Sequence, residues 1–424
     1  MVWVIAVLPL LLIGLGYPFF VILLASSAIA LVFFAGMPAT AVHQTLFASI
    51  DKYALLAVPF FIFAGDVMGR GGISKRLVRW VTAIIGGVRG SMPFTALGTT
   101  VVFSAISGST AACVAAVGGL TYDRLREQGY SERFASGLLV SAAAMDNLIP
   151  PSIGFILYGI ASDTSIIKLF AAGVVPGLVL AAFFAVYIWW HAWRSGDRGS
   201  QPFRMTELLA ATRDGIWSIL APVVVLGGIY GGIFSPTEAA GVACLYAVVV
   251  TACIYREITL AGIFESAARS MYLTAQIFVI VAAAGVYSWV LTVIGAADAA
   301  VTFVQSLDMA PWMVLLAINV FLLVVGTALD TASSILVLTP LLVPIAVACG
   351  IDPIHFGVIL VMNLSIGTFT PPFGVNIFVG QVVFKVPLAE LYKGLNPFIA
   401  LTVASLMVVT YVPSLSLAIL GWLK

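Results

Sequence analysis

Long stretches of this chain are apolar on every helical face. Segments such as VVLGGIYGGIF and FVIVAAAGVYSWVL lack the alternation of a lipid-facing strand and the single stripe of a surface helix. They fit helices set in hydrocarbon, because a helix satisfies its own backbone groups where no water is available. Spans are predicted at 2–15, 18–35 and 54–69, and again at 222–236, 239–254 and 275–290. Amphipathic stretches at 38–52 and 259–271 precede the third span of each set and suit the membrane surface. After that span, each half has a Gly-interrupted apolar segment, a Pro-broken span and a last span.

The two sets are copies of one unit. An offset of 221 residues carries Pro150 and Pro151 onto Pro371 and Pro372, and aligns Gly129 with Gly350, Gly159 with Gly380, Gly173 with Gly394 and Pro176 with Pro397. Matched Gly and Pro are harder to obtain by chance than matched Leu or Ile in so apolar a chain. The first repeat is predicted over 1–203, the linker and start of the next helix over 204–221, and the second repeat over 222–424. If the interrupted segments at 91–128 and 311–348 are re-entrant hairpins, and the broken helices fall at 132–168 and 354–385, each half crosses five times. An odd number inverts the second half. The predicted fold is therefore an all-α polytopic membrane protein of two inverted structural repeats, with about ten spanning helices and two re-entrant hairpins, the plan of secondary transporters.

Charge placement supports that topology. Of the nineteen Lys and Arg residues, all but Lys52, Lys168 and Lys424 fall on one side. Positive charge collects on the cytoplasmic face, which puts both termini on the periplasmic side. Composition fits the same class, with 62% hydrophobic residues, 9% charged residues and a mean hydropathy of +1.14. The net charge of +1 gives no footprint for nucleic acid. The first residues lack a charged n-region, so the first segment is expected to remain as a helix. Cys113, Cys244, Cys253 and Cys349 form no ligand cluster and read as free thiols; His43, His191 and His355 show no ligand spacing. SPTE at 235–238 reads as a capping box.

Proline removes a backbone donor and clashes with the preceding turn, so each proline pair should break its span. The freed carbonyls suit Na⁺ and the freed amides suit a carboxylate, provided the break lines a polar cavity. Each hairpin has a small polar turn, SAISGST at 104–110 and GTALDTASS at 326–334. Inversion would bring both turns to both breaks. One constellation is Ser107, Gly108, Ser109 and Thr110 with Asp146, Asn147 and Pro150. The other is Gly326, Thr327, Asp330, Thr331 and Ser333 with Gly367, Thr368, Thr370 and Asn376. Close helix packing also selects small residues, which is the competing account of any single position. For Asp146 and Asp330, cation coordination competes with helix capping or protonation.

The motifs ISGSTAA, LIPPSI, FSPTEAA, LDTASSILVLTPLLVPIA and GIDPIHFGVILVMNLSIGTFTPPFGVNIF resemble those of the large M subunit of tripartite ATP-independent periplasmic (TRAP) transporters, along nearly the whole chain. The resemblance implies an elevator mechanism in the inner membrane, a small Q membrane subunit, and a periplasmic solute-binding protein delivering an organic acid or related small solute. Na⁺ is the implied coupling ion, with H⁺ an open alternative. By motif, Ser107, Gly108, Ser109 and Pro150 match a first Na⁺ site, and Gly326, Thr368 and Thr370 a second. Asp146 joins the cation candidates. Thr110, Asn147, Asp330, Thr331, Ser333 and Asn376 are candidates for the solute. MDNLIPPS departs from the Gly-containing run that many members carry before LIPPS, and Asp146 would repel an anionic solute unless a cation neutralises it. The rival readings are a stand-alone carrier of the same architecture, a channel, and an intramembrane aspartyl protease using Asp146 and Asp330. The protease lacks a GxGD motif and explains neither the repeat nor the proline pairs.

Overall fold

The computed structural model describes residues 2–196 and 202–422, all of whose regular elements are helical. Arg198 and Lys424, part of the charge argument, lie outside those residues. The first half runs through α1 (Val2–Gly14), α2 (Phe19–Ile29), α3 (Ala39–Ile50), α4 (Ala57–Arg70) and α5 (Ile73–Ile85). It continues with α6 (Ser91–Ser107), α7 (Thr110–Cys113), α8 (Gly119–Glu127), α9 (Glu132–Ala142), α10 (Ile153–Ser162) and α11 (Ile166–Arg194). The second half contains α12 (Met205–Tyr230), α13 (Pro236–Val248), α14 (Leu260–Val293), α15 (Ala296–Ser306) and α16 (Pro311–Ala328). Then come α17 (Thr331–Ala348), α18 (Pro353–Gly367), α19 (Val375–Phe384), α20 (Leu388–Tyr411) and the short α21 (Ser414–Leu417).

Eight helices among the described residues are long and apolar enough to cross a bilayer. They are not simply the expected ten less two. Both arms of the second hairpin, α16 and α17, are in this group, whereas α1, α2 and the pieces of the two broken spans are too short singly. A Pro break splits one crossing into two short helices, which accounts for the two broken spans. The amphipathic stretch at 259–271 is not a separate element: it is the start of α14, a helix of 34 residues. At 1.5 Å per residue α14 is about 51 Å long, more than the ~30 Å hydrocarbon thickness. Its counterpart in the first half is divided between α3 and α4, with residues 51 and 52 outside regular structure between α3 and the turn that leads into α4.

The helices form two bodies. Framework helices α4 and α13, α5 and α12, and α2 and α14 pack in pairs, while α9 with α20, α16 with α18 and α10 with α17 build a second body around the hairpins. The α9–α20 contact rests on bare backbone: a Cβ on Gly137 would strike the Gly394 carbonyl, and one on Gly394 the Arg133 carbonyl. Close approach through glycine is how helices gain dispersion energy in a medium that offers no hydrophobic drive. Polar staples add to it, including Tyr158 OH donating to the Pro353 carbonyl at 2.6 Å. Buried Asn363 also donates Nδ2 to Asn319 Oδ1 at 2.9 Å, and Asn319 donates to Thr410 Oγ1 at 3.2 Å.

The ion pairs among the described residues each close within one body. Arg70–Glu265, Arg76–Glu257, Arg76–Asp214 and Arg79–Glu207 tie the framework, and Arg133–Glu390–Lys393 ties α9 to α20. Contact between the bodies runs mainly through α5 with α6, and α14 and α15 with α17. At 235–238 the capping box forms as read: Glu238 N donates to Ser235 Oγ at 3.3 Å, and Ser235 N to Glu238 Oε2 at 2.7 Å.

Candidate functional site

Both proline pairs interrupt their helices. After α9 a single tight turn of helix, Ala143–Asn147, ends the first piece, and α10 starts only at Ile153. Ser152 caps that restart, accepting from Phe155 N at 3.3 Å while donating Oγ to the Asn147 carbonyl at 2.5 Å. In the second half α18 stops at Gly367 and α19 starts at Val375. The Pro150–Pro151 and Pro371–Pro372 bonds are both cis.

The hairpin turns are matched in position and differ in chemistry. In the first, α6 ends at Ser107 and is capped by Gly108, which takes φ 64°, a left-handed conformation that favours glycine. Ser109 then caps α7, accepting from Ala112 N at 3.4 Å. In the second turn Asp330 caps α17, accepting from Ser333 N at 2.9 Å and from the Ser333 hydroxyl. The 221-residue offset superposes Ser109 on Asp330 and Ala112 on Ser333.

Turns and breaks meet around one cavity of about 270 Å³. From the first half it is lined by Gly108, Ser109, Thr110 and Asn147, and from the second by Asp330, Thr331 and Thr368. A hydrogen-bond chain crosses between the halves behind its wall: Thr110 Oγ1 donates to Asn376 Oδ1 at 2.8 Å, and Asn376 Nδ2 to Thr368 Oγ1 at 3.2 Å. The Pro151 carbonyl lies against Gly108, which brings the first turn onto the first break.

The remaining predicted residues do not line this cavity. Ser107 is fully buried, with its hydroxyl within 3.3 Å of Ser109 N and O; Pro150 is buried in the first break. Gly326 faces Gly367 backbone to backbone. Thr370 donates Oγ1 to the Ile366 carbonyl at 2.6 Å, closing the end of α18. Ser333 and Asn376 are buried supports of Asp330 and Thr110. Asp146 is fully buried beside the hydroxyls of Ser104 and Ser107, and neither carboxyl oxygen closes a hydrogen bond of ordinary geometry. A second cavity of about 670 Å³ shares Ile277 and Asp330 with the first and extends along α14 to Pro18 and Phe19.

A match to the family model for the DctM component of the tripartite ATP-independent periplasmic transporter runs over residues 4–415. The chain belongs to this family. It is a permease subunit of a TRAP transporter, a bacterial multi-pass membrane protein, and not an enzyme. It is 37% identical to the C4-dicarboxylate large permease DctM of Pseudomonas aeruginosa, over 94% of this chain and 93% of that one. To the ectoine/5-hydroxyectoine large permease UehC of Ruegeria pomeroyi it is 36% identical, over 95% of each chain. The isethionate permease DctMQ of Oleidesulfovibrio alaskensis is 37% identical over 94% of this chain, which spans 63% of that longer protein. In fold the chain is similar to the YdaH transporter of Alcanivorax borkumensis, with a TM-score of 0.67 at 13% identity, covering 98% of this chain and 99% of that one.

The apolar part of the TRAP permease cavity was missed from sequence. Ile153, Leu157, Leu273, Ile277 and Ile335 line it, three from the hairpin body and two from framework helix α14. In a chain this apolar nothing distinguishes a cavity-lining Ile from a lipid-facing one, so no sequence signal was available. Ser104 was passed over as part of the hairpin turn; its spacing of three from Ser107 places both hydroxyls on one face of α6, next to Asp146.

Proposed function

We propose that this permease imports a small organic acid or related solute with Na⁺, by an elevator movement of the hairpin body against the framework. The observation that carries the reading is the single cavity to which both turns and both breaks contribute. Unwound backbone in a membrane is tolerated where it faces a cavity or a ligand, and the freed carbonyls supply oxygen ligands for a monovalent cation. Ser107, Gly108, Ser109, Asp146 and Pro150 would serve one cation, and Gly326, Thr368 and Thr370 another. Thr110, Asn147, Asp330 and Thr331 would face the solute, with Ser333 and Asn376 holding them in place.

Sliding is supported by the distribution of charge. The ion pairs of the described residues brace each body internally, and none of them would have to break for one body to move against the other. A small membrane subunit and a periplasmic binding protein complete the transporter in this reading, with the arginine-rich face in the cytoplasm and both termini in the periplasm. The solute class follows the relatives, which are named for C4-dicarboxylate and ectoine transport.

The test is uptake of radiolabelled succinate and ectoine into proteoliposomes containing the full chain. Uptake that saturates, and that needs an inward Na⁺ gradient, the small subunit and the binding protein, is the expected result. Uptake by the chain alone would indicate a stand-alone carrier; a current that does not saturate would indicate a channel.

A further inference from the structure

On the arginine-rich face, a cleft of about 290 Å³ lies where the two bodies meet. Framework helix α5 and its C-cap supply Arg79, Thr82 and Gly86, the N-cap and first turn of α12 supply Arg204 and Glu207, and the returning arm of the first hairpin supplies Arg124 on α8. Glu207 is already committed, accepting from Arg79 Nη2 at 2.9 Å and Nε at 3.1 Å. Arg79 is further held by Asp214, at 3.3 Å. Arg124 and Arg204 have no carboxylate partner among the described residues. With three arginines and one glutamate, the cleft has an excess of two positive charges. The N-terminal end of the 26-residue helix α12, next to Arg204, adds the positive pole of a helix dipole.

The surroundings are apolar as well as basic. Phe203, Met205 and Leu209 at the start of α12 are at least half exposed, and Ile84 and Val88 at the end of α5 are nearly so. A free anion has no use for that surface. A phospholipid matches both parts, with its phosphate in the guanidinium fork geometry and its acyl chains along the flanking helices. The adjoining cleft shares Arg124 and contains Glu127, which disfavours an anion there and leaves the Arg204 side for the phosphate.

We propose that this cleft binds the headgroup of an anionic phospholipid, which bridges Arg124 of the hairpin body and Arg204 of the framework. The lipid supplies the electrostatic link between the bodies that the ion pairs of the described residues do not make. Occupancy stabilises the arrangement of the two bodies seen here and opposes their relative displacement. None of this depends on the identity of the solute or the coupling ion.

The test uses the full chain in nanodiscs of phosphatidylcholine with or without phosphatidylglycerol, reading the thermal midpoint and the lipid retained in native mass spectra. Phosphatidylglycerol is expected to raise the midpoint and to remain as a bound adduct. In the Arg124→Gln/Arg204→Gln variant its affinity should fall about thirtyfold, at about fivefold per arginine near an anionic surface. An unchanged midpoint of that variant in pure phosphatidylcholine shows that it still folds; if it does not fold, Arg124→Lys/Arg204→Lys is used, with a weaker but measurable loss expected. Equal protection of wild type and variant by phosphatidylglycerol overturns the proposal. Equal protection by inorganic phosphate, without lipid retention, overturns it in favour of a free-phosphate site.

Discussion

The two proline breaks descend from one sequence unit and meet opposite surroundings. The first is sealed along its middle: Leu148 to Ser152 are all buried, with the Leu148 carbonyl against Gly173 of α11 and the Pro151 carbonyl against Gly108, and only its flanks, Asn147 and Ile153, line the cavity. The second is open, with Phe373 65% exposed, Pro372 exposed, and the Pro372 carbonyl accepting from Tyr392 OH at 3.2 Å. The matched residues just before the breaks diverge in the same sense. Asp146 in the first half corresponds to Gly367 in the second. Where the second half presses Gly367 backbone onto Gly326, the first accommodates a carboxylate beside Ser104 and Ser107. Duplication therefore fixed where the chain unwinds, while the neighbours decided whether the unwound backbone is sealed or accessible.

The largest effect on this contrast should come from Gly367→Ala. The new methyl would meet the Gly326 carbonyl, a backbone atom that cannot swing away. Overpacking of this kind costs about 1–3 kcal/mol, so a clear fall in thermal midpoint and in uptake is expected. Gly326→Ala is the packing control: its methyl meets only ordinary contacts at 3.5 Å and beyond, and should leave the thermal midpoint nearly unchanged. Equal damage from both would mean that the two glycines do not pack as described.

Asp146→Asn comes next. It removes charge and keeps shape, so the fold should survive while half-saturating Na⁺ rises about tenfold, equivalent to about 1.4 kcal/mol. Unchanged Na⁺ affinity in uptake assays would count against direct coordination by Asp146.

The matched caps give a subtler comparison. Ser109→Ala and Asp330→Ala each delete an N-cap, worth about 1 kcal/mol of stability. Asp330 also lines both cavities, so its variant should lose solute affinity, and Ser109→Ala should lose Na⁺ affinity, each beyond the shared loss of stability. Identical uptake defects in the two variants would remove Asp330 from the solute wall.

The smallest effect lies in the exposed brace between α9 and α20. Arg133 of α9 and Lys393 of α20 both pair with the Glu390 carboxylate. Protonating that carboxylate removes both pairs, so their contribution is present at neutral pH and is lost in acid. Melting curves of wild type and Glu390→Gln should therefore differ slightly near neutral pH and converge in acid. A gap that persists at low pH would point to packing instead of charge.

Much of this organisation was legible without coordinates because it rests on local chemistry. Pro150–Pro151 and Pro371–Pro372 deny the backbone its helical bonds wherever they stand, and Gly and Pro at a constant offset reveal a duplicated unit regardless of how it packs. Ser235 and Glu238 cap a helix through neighbours three residues apart. The candidate site was legible only as a set of polar residues near turns and breaks. The motifs assigned Ser107 to a cation and Thr110 to the solute, but residue type and spacing did not show that Thr110 lies on the cavity wall and Ser107 is buried off it.

By itself, then, the sequence determined a helical membrane chain, its duplication, its points of unwinding and its family motifs, since these depend on residue type and spacing. Tertiary structure decided which unwound segment is buried, that Thr110 reaches Asn376 across 266 positions of chain, and that Leu273 and Ile277 face a cavity. Those outcomes depend on how inverted copies dock. In a chain where apolar residues cover nearly every surface, docking is settled by close approach at glycines such as Gly137, Gly367 and Gly394 and by a few buried polar contacts, which periodicity cannot report.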